Sequence, residues 1–222
     1  CARWREAKAV VAEADRLLGN EKRITRDTAA LNFAIETLNG PLGYLFAKQE
    51  LAKAYYFMGR NFYYLNDFAT AADYYILCDR LNPKYPLYKG RINSCMGYLC
   101  KQDSCFEEAL VFYERANIAF AKTDNQKRYA NGLLNIAEQY VNLKEYNKAD
   151  SILQIANNYD IDSTYHAMLI ETRGLYFFAL QQYDSALTYF LGIENFPRPL
   201  EARCYSYMKI IQIYARQDKY QM

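Results

Sequence analysis

The chain holds 222 residues, with 27 Lys and Arg against 25 Asp and Glu, a formal net charge of +2. That balance, with no block of five or six like charges, argues against nucleic acid or an acidic membrane surface as partner, and no apolar run approaches the roughly 18 residues of a membrane-spanning helix. Glycine (9) and proline (5) are scarce while 52% of the residues are hydrophobic, which points away from a turn-rich β-protein and toward an all-α one.

In chain order, the first pattern is Ala7, Val10, Val11, Ala14, Leu17 and Leu18, apolar at the three- and four-residue spacing of one helical face and closed by Gly19. The basic run Glu21 to Arg26 reads as a solvated loop. Asp27 is placed to cap a second helix carrying Ala30, Leu31, Ala34, Ile35 and Leu38, which Asn39, Gly40 and Pro41 close. Residues 1–40 therefore read as a degenerate helical hairpin capping the rest of the chain. A long helix is then expected to lead into Glu50 and beyond.

From Tyr55 the pattern sharpens into a repeat. Tyr55, Met58, Gly59 and Phe62 lie on one helical stripe, and Phe68, Ala71, Tyr75 and Cys78 form a second after a short break, with Pro83 beyond it. Two antiparallel helices bury such stripes against each other, and only a small residue fits where the backbones come closest. Gly59 is the expected point of closest approach. The signature recurs as Met96, Gly97, Cys100, Phe106, Ala109, Tyr113, Ala116. A third copy runs Ile136, Ala137, Tyr140, Tyr146, Ala149, Leu153, Ala156, and a fourth Arg173, Gly174, Phe177, Tyr183, Ala186, Phe190, Ile193. A half-copy passes through Tyr207, Ile210, Ile211, Tyr214 and Tyr220. The steps from Gly59 to Gly97, Ala137, Gly174 and Ile211 are 38, 40, 37 and 37 residues, with the surplus ahead of each first helix, in "NQKRYANG" and "STYHAMLI".

This spacing of aromatic, Leu-Gly-like, Ala and Pro positions resembles the tetratricopeptide repeat, whose usual period is about 34 residues. The resemblance implies a right-handed α-solenoid of stacked antiparallel hairpins, one continuous array over 41–222 with units near 41–85, 86–123, 124–160, 161–197 and a partial 198–222. Nearly the whole chain resembles the tetratricopeptide-repeat proteins of bacterial cell envelopes, in particular a family whose mature forms begin with a lipid-bearing cysteine. Cys1 then has two readings, an arbitrary starting point or a lipid attachment site on an extracytoplasmic periplasmic or outer-membrane lipoprotein. Members of such families continue into membrane-spanning and signalling regions, so a chain stopping at Met222 is expected to be the sensing part of something longer.

The chemistry-bearing residues are sparse. The cysteines (Cys1, Cys78, Cys95, Cys100, Cys105, Cys204) form no C-x-x-C and have one histidine, His166, to join them, so no metal site is expected and the internal thiols read as small buried hydrophobes. Asp162 or Ser163 is expected to cap a helix, and His166 has no obvious acid or nucleophile partner. With no nucleotide-binding or hydrolase motif, the expectation is a non-catalytic module needing no cofactor.

In such arrays the first helices line a concave face. The residues turned from the packing stripe are Lys53, Tyr56, Arg60, Tyr63 and Tyr64, then Arg91, Ser94, Tyr98 and Lys101, then Asn131, Asn135 and Glu138. Arginines and aromatics suit a binding surface, and the basic, aromatic first half fits an acidic or aromatic-containing protein or peptide. The alternative for Tyr56, Tyr63 and Tyr64 is packing against neighbouring helices. Other outcomes are a glycan or small-ligand module, in which exposed aromatics stack sugars, and a purely structural spacer. A monomer is the expected state.

Overall fold

The computed structural model describes residues 2–19, 28–196 and 200–216. Cys1, the run Glu21 to Arg26, the cap assigned to Asp27, Tyr220 and Met222 lie outside the described residues, as do the side chains of Leu18 and Gly19. Among the described residues every regular element is helical: α1 (Ala2–Gly19), α2 (Thr28–Leu38), α3 (Pro41–Phe46), α4 (Lys48–Tyr64), α5 (Phe68–Arg80), α6 (Pro86–Gln102), α7 (Phe106–Phe120), α8 (Gln126–Asn142), α9 (Tyr146–Ala156), α10 (Ser163–Ala179), α11 (Tyr183–Gly192), a short 3-10 turn (Ile193–Asn195) and α12 (Leu200–Arg216). They fall into two compact units, Cys1–Leu99 and Cys100–Met222.

In the first unit α1 and α2 pack on each other and both meet α4. Ala7, Val11 and Ala14 are buried with Leu31, Ala34 and Leu38 in one core with the α4 and α5 seam. The expected long helix into Glu50 is broken. Pro41 starts α3, and Ala47 leaves the helical region (φ −138, ψ 27) before α4 begins. Because α3 is too short to bury a full stripe, Leu42, Leu45 and Phe46 stay exposed.

The first strong hairpin, α4 with α5, is antiparallel: Tyr63 meets Phe68 at 5.6 Å between ring centres, while Gly59, one turn earlier, faces Ala71 and Tyr75. A Cβ on Gly59 would lie 2.8 Å from the Tyr75 ring and 3.1 Å from the Ala71 carbonyl oxygen. Bulk fits only above and below that point, where Phe62 stacks on Tyr74 at 5.6 Å and 6°. The same economy recurs in the second unit, where a Cβ on Gly174 would come within 2.8 Å of Phe190 and Phe177 stacks on Tyr189 at 5.3 Å.

The surplus over the usual repeat length lies in the first helices: α4, α6, α8 and α10 each hold 17 residues. The break after each is a single motif used four times. Asn66, Ser104, Lys144 and Gln181 all sit at φ near 60, spaced 38, 40 and 37 residues apart. In each turn the next residue's N–H donates back across the turn, Asp67 to the Phe62 carbonyl, Cys105 to Cys100, Glu145 to Tyr140 and Gln182 to Phe177. The left-handed residue's own N–H closes the inner ring, as from Asn66 to Tyr63. This is the Schellman closure, made here with no glycine at the left-handed position.

Two expectations need correction. Ile211 is 57% exposed, whereas Ser206, Ile210 and Ile213 are buried. Those three have the spacing of Tyr55, Gly59 and Phe62, so the last half-copy is centred on Ile210. Taking Ile211 instead turns the helix by about 100° and moves the wrong face inward. The thiols also divide. Cys78 is buried, and burial pushes its thiol up to about 12. Cys95 and Cys100 are half-buried, and Cys105 and Cys204 are exposed, Cys105 because it sits in the turn at the N-cap of α7.

The seam and the turn are both testable through stability. Gly59→Ala gains about 1 kcal/mol of helix propensity but overpacks the seam by about 1–3 kcal/mol, so a net loss of about 1 kcal/mol is expected in chemical denaturation. Tyr75→Leu in the same chain should remove most of that alanine's penalty, and additive losses would refute the contact. Lys144→Gly and Gln181→Gly should each raise stability by about 0.5 kcal/mol, since glycine relieves the left-handed strain at some cost in unfolded-chain entropy, whereas Lys144→Val should lower the melting temperature.

Candidate binding surface

In the first unit the face of α4 turned from the seam is covered in part by α6. Tyr56 packs edge-on against Tyr88 at 4.8 Å and Tyr63 against Tyr98 at 5.7 Å, so the two helices run side by side in the same direction. Tyr56, expected on an open face, is instead 3% exposed. Neighbouring rings and α6 leave it no route to solvent, and burial raises its phenol above the ordinary value against the pull of Arg91 and Arg60. Its hydroxyl accepts a long bond from Arg91 Nη1 at 3.3 Å. Tyr63 and Tyr98 are half-buried and share Phe68, so they pack as well as line the face. Tyr64 is half exposed, with the Arg60 guanidinium 5.3 Å from its ring centre.

Lys53 is committed internally. Its Nζ lies 2.5 Å from Asp15 Oδ2 and 4.6 Å from the centre of the Tyr85 ring, while the Tyr88 hydroxyl donates to the other Asp15 oxygen. Burial and that bond together drive the Tyr88 phenol far above its usual range. Ser94 is half-buried on α6.

In the second unit Lys101 and Glu138 pair with each other, Nζ standing 2.8 Å from both carboxylate oxygens. Asn131 holds a buried Oδ1 with no hydrogen-bond partner among the described residues, and the backbone carbonyl of Asn135 accepts from Gln139 Nε2. Around Glu138 the structure gathers residues absent from the expected set: Glu171, Phe178, Tyr205, Lys209 and Arg216. Burial first, then Glu138 and Glu171, push the Tyr205 phenol up to about 12. Lys209 lies 5.0 Å from the Phe178 ring and 5.4 Å from Tyr205, its ammonium lowered by burial and by Arg216, with Glu138 opposing. Glu171 was legible, since the repeat steps carry Tyr56 through Ser94 and Leu134 to it. Tyr205 and Lys209 lie on α12, beyond the three first helices from which the face residues were read.

Elsewhere, Asp162 caps α10, accepting from the Tyr165 N–H at 2.8 Å. Its carboxyl is held below the usual value first by its bond with Lys127 and then by that amide. His166, expected to lack an acid partner, has its Nε2 2.9 Å from Asp160 Oδ1, because the bend before α10 folds the exposed Asp160 back over the first turn. Among the described residues no group of three or more His, Cys, Asp or Glu could hold a metal ion, and no helix is long and apolar enough to cross a membrane.

No family model and no curated protein matches this chain. Among solved structures 28 chains match; one, BtubC (BKLC) from P. vanneervenii, shares 16% identity at a TM-score of 0.56, over 100% of this chain and 94% of that one. At that identity the likeness shows a common helical fold alone.

The burial contrast across α4 is measurable. Tyr56→Ala should cost about 3–5 kcal/mol as a large core truncation, whereas Tyr64→Ala, an exposed ring, should stay within about 0.5 kcal/mol of wild type. Equal losses in urea denaturation would contradict the placement of these two rings.

Proposed function

We propose that the chain is a tetratricopeptide-type array, a right-handed α-solenoid of stacked hairpins, and that it works without catalysis as a protein- or peptide-binding module through the face of its first helices. The repeat reading is supported by the fourfold turn at 38, 40 and 37 residue steps and by the glycine seams under Tyr75 and Phe190. The binding reading is carried by one observation: α4 and α6 present Arg60, Tyr64, Arg91 and Tyr98 on a single face, where neither arginine has a carboxylate partner among the described residues. Aromatic rings and guanidiniums held on rigid helices make contact area at low entropic cost. The corrected surface is smaller than the sequence implied, because Tyr56 belongs to the core and Lys53, Lys101 and Glu138 are occupied with internal partners.

Selection of linear peptides from a displayed library, followed by calorimetric titration of the winners, tests this reading. Enriched peptides should bind saturably, and a Tyr64→Ala, Tyr98→Ala chain that still folds should bind at least about tenfold more weakly, a loss of about 1.4 kcal/mol. No enrichment, or affinity indifferent to both tyrosines, overturns it; saturable binding on a glycan panel without any peptide would assign the face to sugars.

A further inference from the structure

The second of the four left-handed turns differs from the others in chemistry. The residues whose backbones bond across each turn are Phe62 and Asp67, Cys100 and Cys105, Tyr140 and Glu145, and Phe177 and Gln182, so the second turn places two thiols at the paired positions. The Cys105 N–H donates to the Cys100 carbonyl at 2.9 Å, with Ser104 beside it at φ 60. Standard bond lengths then keep the two Cα atoms within about 6.8 Å of each other, inside the range of about 4.4–6.8 Å that a disulfide requires. In a Schellman closure the side chains at these two positions also come into contact. Cys100 packs on the cluster of Ala109 and Tyr113, and Ala109 stands one helical turn beyond Cys105, its N–H bonded to the Cys105 carbonyl. Capping does not explain the cysteine at 105. It is the N-cap residue of α7, a place that favours Ser, Thr, Asp or Asn, yet its side chain makes no cap bond, and its Sγ makes a weak contact with the Asp103 carbonyl at 3.7 Å.

We propose that Cys100 and Cys105 are a reversible modification site, a dithiol that a small disulfide such as oxidised glutathione converts to a disulfide bond stapling the end of α6 to the start of α7. The exposed Cys105 reacts first. Its thiolate attacks one sulfur of the incoming disulfide, one thiolate leaves, and a mixed disulfide remains on Cys105. The Cys100 thiolate then attacks the Cys105 sulfur and expels the second thiolate. The protein loses two electrons and two protons, the oxidant is reduced to two thiols, and reduced glutathione reverses both steps. The order follows from access: Cys100 is half-buried, and burial, then Cys105, hold its thiol above the usual value. That makes it a poor first nucleophile, but in the second step it has only to reach a sulfur already beside it. Oxidation turns a closure held by backbone hydrogen bonds into one that cannot open locally. The site does not depend on what the face of the first helices binds.

The test incubates the full chain in glutathione buffers of stepped oxidised-to-reduced ratio, stops exchange with acid, alkylates the free thiols and digests with trypsin. Cleavage after Lys101 separates the two cysteines, so the disulfide is read as peptides 92–101 and 102–115 joined with Cys95 alkylated, a mass that reduction removes. At a given ratio the oxidised proportion of this pair, relative to reduced, should be at least about tenfold higher in the folded chain than in urea, because the turn raises the effective concentration of one thiol at the other. Cys100→Ser should stop at the mixed disulfide with glutathione held on Cys105, and Cys100→Ala, which places no hydroxyl in the half-buried site, should do the same. Cys204→Ser should leave the pair unchanged. In the oxidised protein the amide hydrogens of Ser104 and Cys105 should exchange at least about tenfold more slowly. Linkage to Cys95, to Cys204 or between chains in place of this pair, an oxidised proportion no higher in the folded chain than in urea, or alkylation of both thiols at every ratio overturns the proposal.

Discussion

The distance at which two helices of a hairpin can approach governs this fold. At Gly59 the absence of one methyl group lets the α4 backbone come against the Tyr75 ring and the Ala71 carbonyl, and that approach sets where every other side chain of the pair must sit. Phe62 and Tyr74 then have room to stack, Tyr55 and Tyr74 to tilt together at 6.2 Å. The same device at Gly174 uses Phe190 for the ring, and in between Ala137 substitutes as a fully buried small residue. A large residue at any of these sites would force apart a dense interior that relaxes only partially.

Once helices lie this close, tyrosine has a use that phenylalanine lacks, and several of the 23 copies show it. Its ring fills the interhelical space and its hydroxyl reaches a polar group on the neighbouring element. Tyr165 donates to the Ala156 carbonyl at 2.5 Å and Tyr140 to Glu114 at 3.1 Å, while Tyr88 donates to Asp15. Each bond ties one helix to another at a fixed height, satisfying a polar tip that would otherwise be costly to bury. The raised phenols of Tyr88 and Tyr205 have the same origin: burial, plus a carboxylate close enough to make a second negative charge unwelcome.

What was legible in the sequence was whatever depends on spacing along one helix. Gly59 opposite Tyr75, the buried set Ala71, Tyr75 and Cys78, and the cap at Asp162 come from periodicities of three and four and from the chemistry of short polar side chains. What was not legible depends on a second helix or on backbone conformation. Tyr56 is buried because α6 runs alongside α4 there, and nothing in the α4 pattern says so. The four left-handed turn residues include a lysine and a glutamine, neither of which signals positive φ; the closure of the two inner rings holds them there. The last helix was misread by one residue because its face holds Ile210, Ile211 and Ile213, and apolarity alone cannot choose between adjacent isoleucines.

The corrected surface changes what kind of recognition the proposed binding face would support. A face of freely exposed tyrosines would imply broad, largely apolar contact; the structure instead spends most rings on packing and leaves polar groups whose partners are absent. Asn131 in the second unit and Arg91 in the first each bury an atom with no hydrogen-bond partner among the described residues. Sites of that type reject ligands that cannot satisfy them far more strongly than apolar pockets do, because the unmet group persists in every wrong complex. On the proposed binding reading, selectivity would rest in each unit on such a fixed polar atom, with nearby aromatic side chains adding contact area.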